Sequence, residues 1–437
     1  MLIQLLWFEH LTAGKNGSRF GARMAKVKQY QRVHYGWLVA GTGCLCIFAC
    51  LGLGRFAIGM LLPSMGESLG LTYSQMGLIS TCNFFGYLLA VLTCGRMQVL
   101  IGARKLIFFA LLLISLSAGL IGLGEGLVSI ALLYTLTGIG SGAANVSMMG
   151  LVAAWFASRL RGRAAGFVVI GSGFAILLSG YVIPLLNGQR DDGWRLSWFF
   201  VGGTVFVISL ICWAVLRNRP QDIGLERVGE QVDPVKKSPH AEFRPLDRKM
   251  ILHCGAIYFI FGFTYVIYAT FIVTVLVNEY GFSEKMAGTF WSWVGLLSLV
   301  SGPVFGALSD KLGRKAGLML VFSIQTLSYL LVGMQLSGQA LVLSIGCFGI
   351  VAWSVPSIMI ALVGDLVGAQ NTVRVFGLIT FIFGMGQISG PYLAGLIAEK
   401  TGNFSGSFLM AAAMTTVAVI ISSRLQPTGM QLKRENQ

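Results

Sequence analysis

The sequence predicts an all-α membrane protein that crosses the bilayer twelve times, in two parallel repeats of six transmembrane helices. Three observations support this prediction: the composition, the spacing of the apolar segments and a repeat within the chain. Hydrophobic residues make up 55% and charged residues 11% of the 437 residues, whereas soluble domains have about 45–50% and about 25%. The mean hydropathy of +0.76 agrees with this reading. A chain this apolar is expected to lie in a membrane.

Twelve apolar segments are each long enough to cross about 30 Å of hydrocarbon as a helix. They cover residues 36–65, 74–95, 105–123, 127–156, 164–187, 196–216, 250–277, 286–307, 317–336, 340–363, 373–398 and 404–423. The predicted domains follow from these segments. They are an N-terminal tail (1–35), a six-helix bundle (36–216), a polar linker (217–249), a second bundle (250–423) and a C-terminal tail (424–437).

The distribution of basic residues predicts the orientation of the chain. With the N-terminus inside, 24 of the 32 Lys and Arg residues fall on the cytoplasmic side, and the other side holds only Arg190, Arg195, Lys285 and Lys400. Because basic residues favour the cytoplasmic side, both tails and the linker are predicted to be cytoplasmic in a multi-pass protein of the bacterial inner membrane. The asymmetry places the net charge of +15 against membrane lipid, so no nucleic-acid partner is needed to explain it.

The first 23 residues differ from the rest of the tail. Their apolar run, from Met1 to Phe8, is too short to span a membrane, and no small-residue cleavage site follows it. We expect either a disordered tail or a true start at Met24.

A repeat at an offset of 211 residues divides the chain into two halves. Glycines match glycines at 70 and 281, 77 and 288, 95 and 306, 102 and 313, 138 and 349, 166 and 377, and 173 and 384, and Arg163 matches Arg374. A constant offset across five helices is hard to obtain by chance. Parallel six-helix repeats are the architecture of one large class of secondary transporters, which bind substrate between the halves.

The loop after the eighth segment carries a recognisable motif, "GALSDKLGRK" (306–315). It resembles the loop signature of the major facilitator superfamily (MFS), and the resemblance covers about residues 36–424. In that family the loop holds the two halves together on the cytoplasmic side, which makes a set of five residues candidates for gating: Gly306, Asp310, Gly313, Arg314 and Lys315. The alternative is a tight turn with a cluster of basic residues.

The first copy of this loop, "GRMQVLIGARK" (95–105), departs from the motif. Gly95, Gly102 and Arg104 remain as candidate gating residues, but Val99 stands where the second copy has Asp310. Tyr134 stands where many proton-coupled members of the family carry an arginine, which puts a proton relay through the fourth helix in doubt.

Two shorter stretches indicate a branch of the family. "GLGRFAIGMLLPSM" (52–65) resembles a bacterial branch with a Gly-Arg-Phe-Ala run in the first helix. "RNRPQDIGL" (217–225) is similar to the start of the linker in organic-anion and monocarboxylate carriers.

Arg55 is the sharpest candidate for substrate binding. It is the only Lys or Arg that lies away from the ends of the predicted segments, which contain no Asp or Glu, and its repeat mate is Val266. It lies 19 residues past Gly36, about 28 Å along a helix. One alternative is that the side chain reaches the outer headgroups; the other is that it faces a watery cavity and pairs with a carboxylate.

Other polar or amphipathic side chains lie far from the predicted helix ends, on helices that line the central cavity in this architecture (4, 7 and 10) or lie beside it (2 and 11). They are Asn83, Asn145, Tyr265, Trp353 and Gln387. We expect them to complete the binding site, although each amide could equally bond a neighbouring helix.

The predicted function is secondary active transport of a small carboxylate-type anion by alternating access. We expect a monomer without a cofactor, and a proton is a candidate coupling ion. One alternative is an exporter of drugs or lipophilic compounds with the same fold. Similar exporters carry an acidic residue in the first helix and a proline in a Gly-rich motif of the fifth, and neither is found here.

A non-transporting membrane sensor or a membrane enzyme is the second alternative. It would need a soluble domain or a catalytic cluster, but the longest polar segment is the linker. The four His residues do not have the spacing of a metal site or a catalytic triad. Cys46 and Cys50 share a helix face without a further ligand, so we expect neither a metal site nor enzymatic activity.

Overall fold

A computed structural model describes residues 34–190, 192–229, 248–336 and 338–425. The N-terminal tail to residue 33, linker residues 230–247 and the tail from 426 lie outside the described residues. Within the described ranges, twelve helices are long and apolar enough to cross a membrane, which confirms the predicted number. In chain order they are α1 Tyr35–Leu69, α2 Tyr73–Ile101, α3 Ala103–Ile121, α4 Leu127–Trp155, α5 Ser158–Asn187, α6 Gly193–Val215, α7 Arg248–Glu279, α8 Glu284–Leu312, α9 Arg314–Gly333, α10 Gly338–Gly368, α11 Arg374–Thr401 and α12 Ser405–Ser423.

Several helices are longer than the apolar segments from which they were predicted. The helices α2 and α8 continue about six and five residues past the predicted ends, and α10 includes Asp365, which the predicted segment excluded. Hydrophobicity reports only the part of a helix that lies in hydrocarbon, whereas backbone hydrogen bonding continues until a cap or a glycine ends it. The prediction that the membrane helices contain no carboxylate is therefore wrong for their end turns.

The internal repeat is visible in the ends of the helices. The bounds of α8 are those of α2 shifted by 211 residues at both ends. The N-caps match as well, because Thr72 accepts a hydrogen bond from the backbone of Gln75 and Ser283 accepts one from that of Met286. The loops that follow α2 and α8 turn at Gly102 and Gly313, with φ of 82° and 93°. L-residues with side chains rarely adopt this conformation, so both copies need glycine there.

The paired glycines also make equivalent helix contacts. Gly138 packs directly on the backbone of α2, and its mate Gly349 packs on α8 at Leu297 and Val294. Gly77 packs on the carbonyl of Pro391 in α11, and its mate Gly288 packs on the carbonyl of Gly180 in α5. The first pair holds helices together within each half, and the second holds the two halves together.

The two halves touch at one end of the bundle, which we call the closed end. It contains the start of α2 at Tyr73 and the end of α11 at Thr401. Hydrogen bonds also join the halves here: the Ser64 hydroxyl donates to Glu284 over 2.6 Å, and Thr72 donates to Glu399 over 2.8 Å.

At the opposite, open end the halves stand apart. Side chains added at Gly95, Gly166 or Gly377 would meet no atom within 4 Å. Val99, near the end of α2, is 87% exposed. The molecule therefore has one open and one closed end, as in one of the two states of an alternating-access cycle.

Candidate functional site

Arg55 lies where α1 departs from regular α-helical geometry. Residues Phe48–Phe56 form a π-helical segment, in which the amide of Ala57 donates to the carbonyl of Gly52. Such wide turns are frequent at functional sites because they redirect side chains and backbone groups. The carbonyl of Arg55 also accepts a hydrogen bond of 2.9 Å from the hydroxyl of Tyr134 in α4.

The Arg55 side chain is enclosed between the two halves and is 6% exposed. Its guanidinium lies over the rings of Phe84 and Tyr87 of α2, at 4.3 and 4.7 Å from their centroids. Nη2 donates to the hydroxyl of Tyr265 in α7 over 3.3 Å. This enclosure argues against the alternative in which Arg55 extends to the lipid headgroups.

The guanidinium keeps unused binding capacity. Its Nε is buried and has no hydrogen-bond partner. Among the described residues, the ion pairs involve Arg195 and Arg314, and none reaches Arg55. Aromatic rings stabilise a cation only in part, so this charge remains available to an anion.

Tyr265 connects Arg55 to α11 of the other half. The side-chain amide of Gln387 donates to the same Tyr265 hydroxyl that accepts from Arg55. Both Tyr265 and Gln387 are buried. Three of the predicted site residues, from α1, α7 and α11, thus form one continuous hydrogen-bonded chain.

Trp353 lies beside this chain at a break in α10. The regular helix stops at Val351 and resumes at Ser354, and the Trp353 amide donates to the hydroxyl of Ser301 in α8 over 3.0 Å. The Trp353 ring is 5.9 Å from that of Tyr265 and 5.2 Å from that of Phe56. Its indole nitrogen is buried without a partner, which leaves a second donor unused on a ring that contacts Tyr265 and Phe56.

The two asparagines have different surroundings. Asn145 of α4 is half-buried and donates to the hydroxyl of Tyr87 over 2.7 Å, so it belongs to the group around Arg55. Asn83 of α2 is buried and donates to the backbone carbonyl of Tyr134 over 3.0 Å, so its amide is turned into the contact between α2 and α4.

Sequence reasoning did not select Phe84, Tyr87 or Tyr134. Tyr134 was noted only as a departure from the family pattern, and the structure shows that it supports the backbone of Arg55. Phe84 and Tyr87 are three residues apart on α2, a spacing that places them on one helix face. Their contact with Arg55 depends on how α1 and α2 are both placed against α4, for which the sequence carries no signal.

The second copy of the loop motif forms a charged cluster at the open end. Arg314 pairs with Asp310 one turn earlier and with Asp365 of α10, at 2.9 Å for the second pair. It also donates to the hydroxyl of Ser309 over 2.8 Å. The Asp365 side chain is 18% exposed and that of Asp310 62% exposed, so the cluster ties α8, α9 and α10 together mainly through the half-buried pair of Arg314 and Asp365. Sequence reasoning missed Asp365 because it lies just past the predicted end of its segment.

The first copy lacks this cluster entirely. At the offset of 211, the three charged positions become Val99, Ala103 and Ala154, which line a cavity of about 640 Å³. Arg104 turns away and donates to the carbonyl of Trp213 over 2.7 Å, with its guanidinium over the Trp213 ring. At the open end, the helices within the C-terminal half are therefore joined by ion pairs, whereas those within the N-terminal half are joined by a hydrogen bond and a cation–π contact of Arg104.

No group of three or more His, Cys, Asp and Glu that could hold a metal ion occurs among the described residues. Each of the eight cysteines is free.

Comparison with known proteins gives the same assignment as the fold. Residues 47–423 match the model of a family described as "Uncharacterised MFS-type transporter YbfB". The chain is 27% identical to a hexuronate transporter of Bacillus subtilis, over 84% of this chain and 89% of that protein. It is 23% identical to a probable sulfoacetate transporter of Cupriavidus necator, over 91% and 95%.

The same fold occurs in a bacterial homologue of the lysosomal transporter Spinster, solved in an inward-facing and occupied conformation. The TM-score is 0.72, with 14% identity over 92% of this chain and 98% of that chain. The family match covers most of the chain, and the twelve apolar helices of the described residues agree with it. The chain therefore belongs to the family described as "Uncharacterised MFS-type transporter YbfB".

Proposed function

We propose that this protein is a secondary transporter that moves a small organic anion across the bacterial inner membrane by alternating access. The observation that carries the proposal is Arg55, a buried guanidinium between the two halves that has no carboxylate partner among the described residues. A charge in a poorly solvated site is stabilised by a bound counter-ion, and a carboxylate matches the fork of a guanidinium.

The remaining predicted residues have places in this proposal. Tyr265 and Gln387 fix the guanidinium from the second half, while Asn145 and Trp353 border the site. Asn83 acts one layer away, through Tyr134. The names of the relatives support an anionic substrate, since hexuronate and sulfoacetate are both acids.

The positive-inside rule assigns the open end to the cytoplasm, because Arg96, Arg104 and Lys105 lie at that end. Both termini are then cytoplasmic and the structure is an inward-open state of a monomer. On this assignment, the substrate enters from the cytoplasmic side, and the closed end seals the site from the periplasm.

The motif at the open end acts as a gate in this proposal. Gly306, Gly313, Arg314 and Lys315 shape the turn, and Asp310 stabilises the state that is closed to the cytoplasm. Asp310→Asn is expected to impair transport while ligand binding persists, and Val99→Asp should be better tolerated than Asp310→Val. Loss of binding with normal conformational exchange would instead place Asp310 in the binding site.

The test of the proposed function is a binding screen on purified protein with a panel of carboxylates and neutral drugs. Arg55→Lys keeps the charge but loses the fork, so it should weaken carboxylate binding, and Arg55→Ala should weaken it further. Hydrogen bonds to charged groups are worth roughly 1.5–3 kcal/mol, which corresponds to a loss of affinity of about 10- to 150-fold.

Arg159→Ala is the matched control, because Arg159 is exposed at the start of α5. It removes the same charge and should leave affinity unchanged. Equal affinities of wild type and both Arg55 variants, normalised to folded protein, would contradict the proposal. Binding of neutral drugs in preference to every carboxylate would favour the exporter.

A further inference from the structure

The balance of charge around the site is simple. Among the described residues, Arg55 is the only charged side chain that is buried. The groups that surround it are rings, hydroxyls and amides. Phe84, Tyr87 and Tyr265 contact Arg55 directly. Gln387 is hydrogen-bonded to Tyr265, and the Trp353 ring packs beside the Tyr265 ring. The site therefore offers a single positive charge and no negative one.

Basic residues of the cavity-lining helices α5 and α11 are too distant to join it. Arg374 precedes Gln387 by 13 residues on α11, about 20 Å along the helix. Arg163 precedes Ala175, which packs against Gly52 of α1, by 12 residues on α5, about 18 Å. Both arginines are exposed at the open end, where water solvates them.

The nearby acidic residue Glu284 does not balance the site either. It bonds to Ser64, nine residues beyond Arg55 on α1 and about 14 Å along that helix. Its second oxygen accepts from Asn187 over 2.9 Å. Glu284 is thus occupied with the contact between the halves at the closed end.

From this balance we infer that the transported substrate is a monovalent anion, with one carboxylate or an equivalent oxyanion and a neutral remainder. The inference rests on the proposed function. One anionic group neutralises Arg55 when the site closes. A second anionic group would be carried into the same enclosure without a partner, and a buried charge without a partner is strongly disfavoured.

The unused donors fit a single anionic group. Arg55 Nε and the indole nitrogen of Trp353 are both buried and unpaired, and they come from opposite halves of the protein. An oxyanion held by both would join the halves around the ligand. The substrates named for the two relatives differ in charge, because a hexuronate carries one negative charge and sulfoacetate carries two at neutral pH. The inference favours a substrate with the charge of a hexuronate.

The experiment compares matched pairs of acids that differ by one carboxylate. The probes are gluconate against glucarate and 3-phenylpropionate against phenylsuccinate, with binding to the full-length purified protein measured by calorimetry at pH 7.5. In at least one pair we expect the monoanion to bind at least about tenfold more tightly than its dianion. Arg55→Ala should weaken binding of the monoanion by at least about tenfold.

A second variant adds the missing charge. Asn145 contacts Tyr87, the ring that lies on Arg55. Asn145→Lys should shift the preference toward the dianion of the pair, whereas the neutral control Asn145→Gln should keep the preference of the wild type. The ratio of two affinities on one protein sample is insensitive to the folded fraction.

The outcomes separate the inference from the proposed function. Dianions that bind as tightly as their monoanions, with Asn145→Lys without effect, would overturn the monovalent inference and leave anion transport in place. Failure of all four acids to bind would count against the organic-anion proposal itself.

Discussion

At the scale of single residues, the surroundings of a polar side chain decide its role more than its type does. Asn83 and Asn145 are both asparagines inside membrane helices. Asn145 bonds the hydroxyl of Tyr87 beside Arg55, whereas Asn83 bonds the backbone of α4 in a close helix contact. Gly138 permits that contact, because a side chain there would overlap the carbonyl of Asn83.

This difference predicts separate effects of substitution. Asn83→Leu should lower the stability of the protein in detergent by about 1 kcal/mol, the scale of a hydrogen bond between membrane helices, while the affinity for a bound carboxylate changes little. Asn145→Leu should lower the affinity for a bound carboxylate and change the stability of the protein little. Thermal unfolding and calorimetric binding on both variants check the prediction, and a tenfold loss of affinity in Asn83→Leu would contradict it.

At the scale of helices, the open end of the C-terminal half depends on one cationic side chain. Arg314 joins Asp310 on α8 to Asp365 on α10. An exposed ion pair contributes little, about 0–1 kcal/mol, whereas loss of one partner of a buried pair leaves a charge uncompensated. Because the side chains of Arg314 and Asp365 are only 14% and 18% exposed, water screens this half-buried pair less than the pair with Asp310, and the half-buried pair should dominate.

Asp365→Asn should therefore destabilise the protein by about 1–3 kcal/mol, more than Asp310→Asn does. Thermal unfolding of the two variants gives the comparison. Ala154→Asp at the repeat mate of Asp365 is the control, since no arginine stands at position 103 to receive it. Equal melting temperatures for Asp365→Asn and Asp310→Asn would show that burial does not set the strength of this cluster.

At the scale of the whole molecule, paired glycines control how closely the two halves approach. Gly77 and Gly288 let backbones from opposite halves touch at the closed end, while Gly95 and Gly306 have no neighbour from the other half in this state. Alternating access requires the first contacts to open as the open end closes. A methyl group at Gly77 or Gly288 should therefore disfavour the state seen here, whereas one at Gly95 or Gly306 should disfavour the state in which the open end has closed.

Gly288→Ala should shift the protein away from the state seen here, because the added Cβ would overlap the carbonyl of Gly180. Gly95→Ala meets open space and should shift it toward this state. Pulsed EPR distances between spin labels at the exposed residues Glu67 and Lys400 report the closed end. The distance should lengthen in Gly288→Ala and remain short in Gly95→Ala; identical distributions would contradict the assigned contacts.

The sequence by itself determined the membrane class, the number of helices and the repeat. Those features follow from the lengths of the apolar segments and from a constant offset between glycines, and both can be read along the chain without knowledge of which helices are in contact. It also singled out Arg55, because an arginine in an apolar segment is conspicuous without knowledge of its neighbours. Helix ends were less predictable, since Asp365 belongs to α10 beyond the apolar stretch.

The tertiary structure alone decided which side chains meet. The contact of Arg55 with Tyr265 spans 210 residues, and that of Gln387 with Tyr265 spans 122. The same holds for Tyr87, which reaches Arg55 only because α1 and α2 both pack against α4. These contacts depend on how helices from distant parts of the chain pack around a common axis. The π-helical segment that contains Arg55 and the break at Trp353 were not predicted either, because the hydropathy of a segment does not report a change of helical pitch.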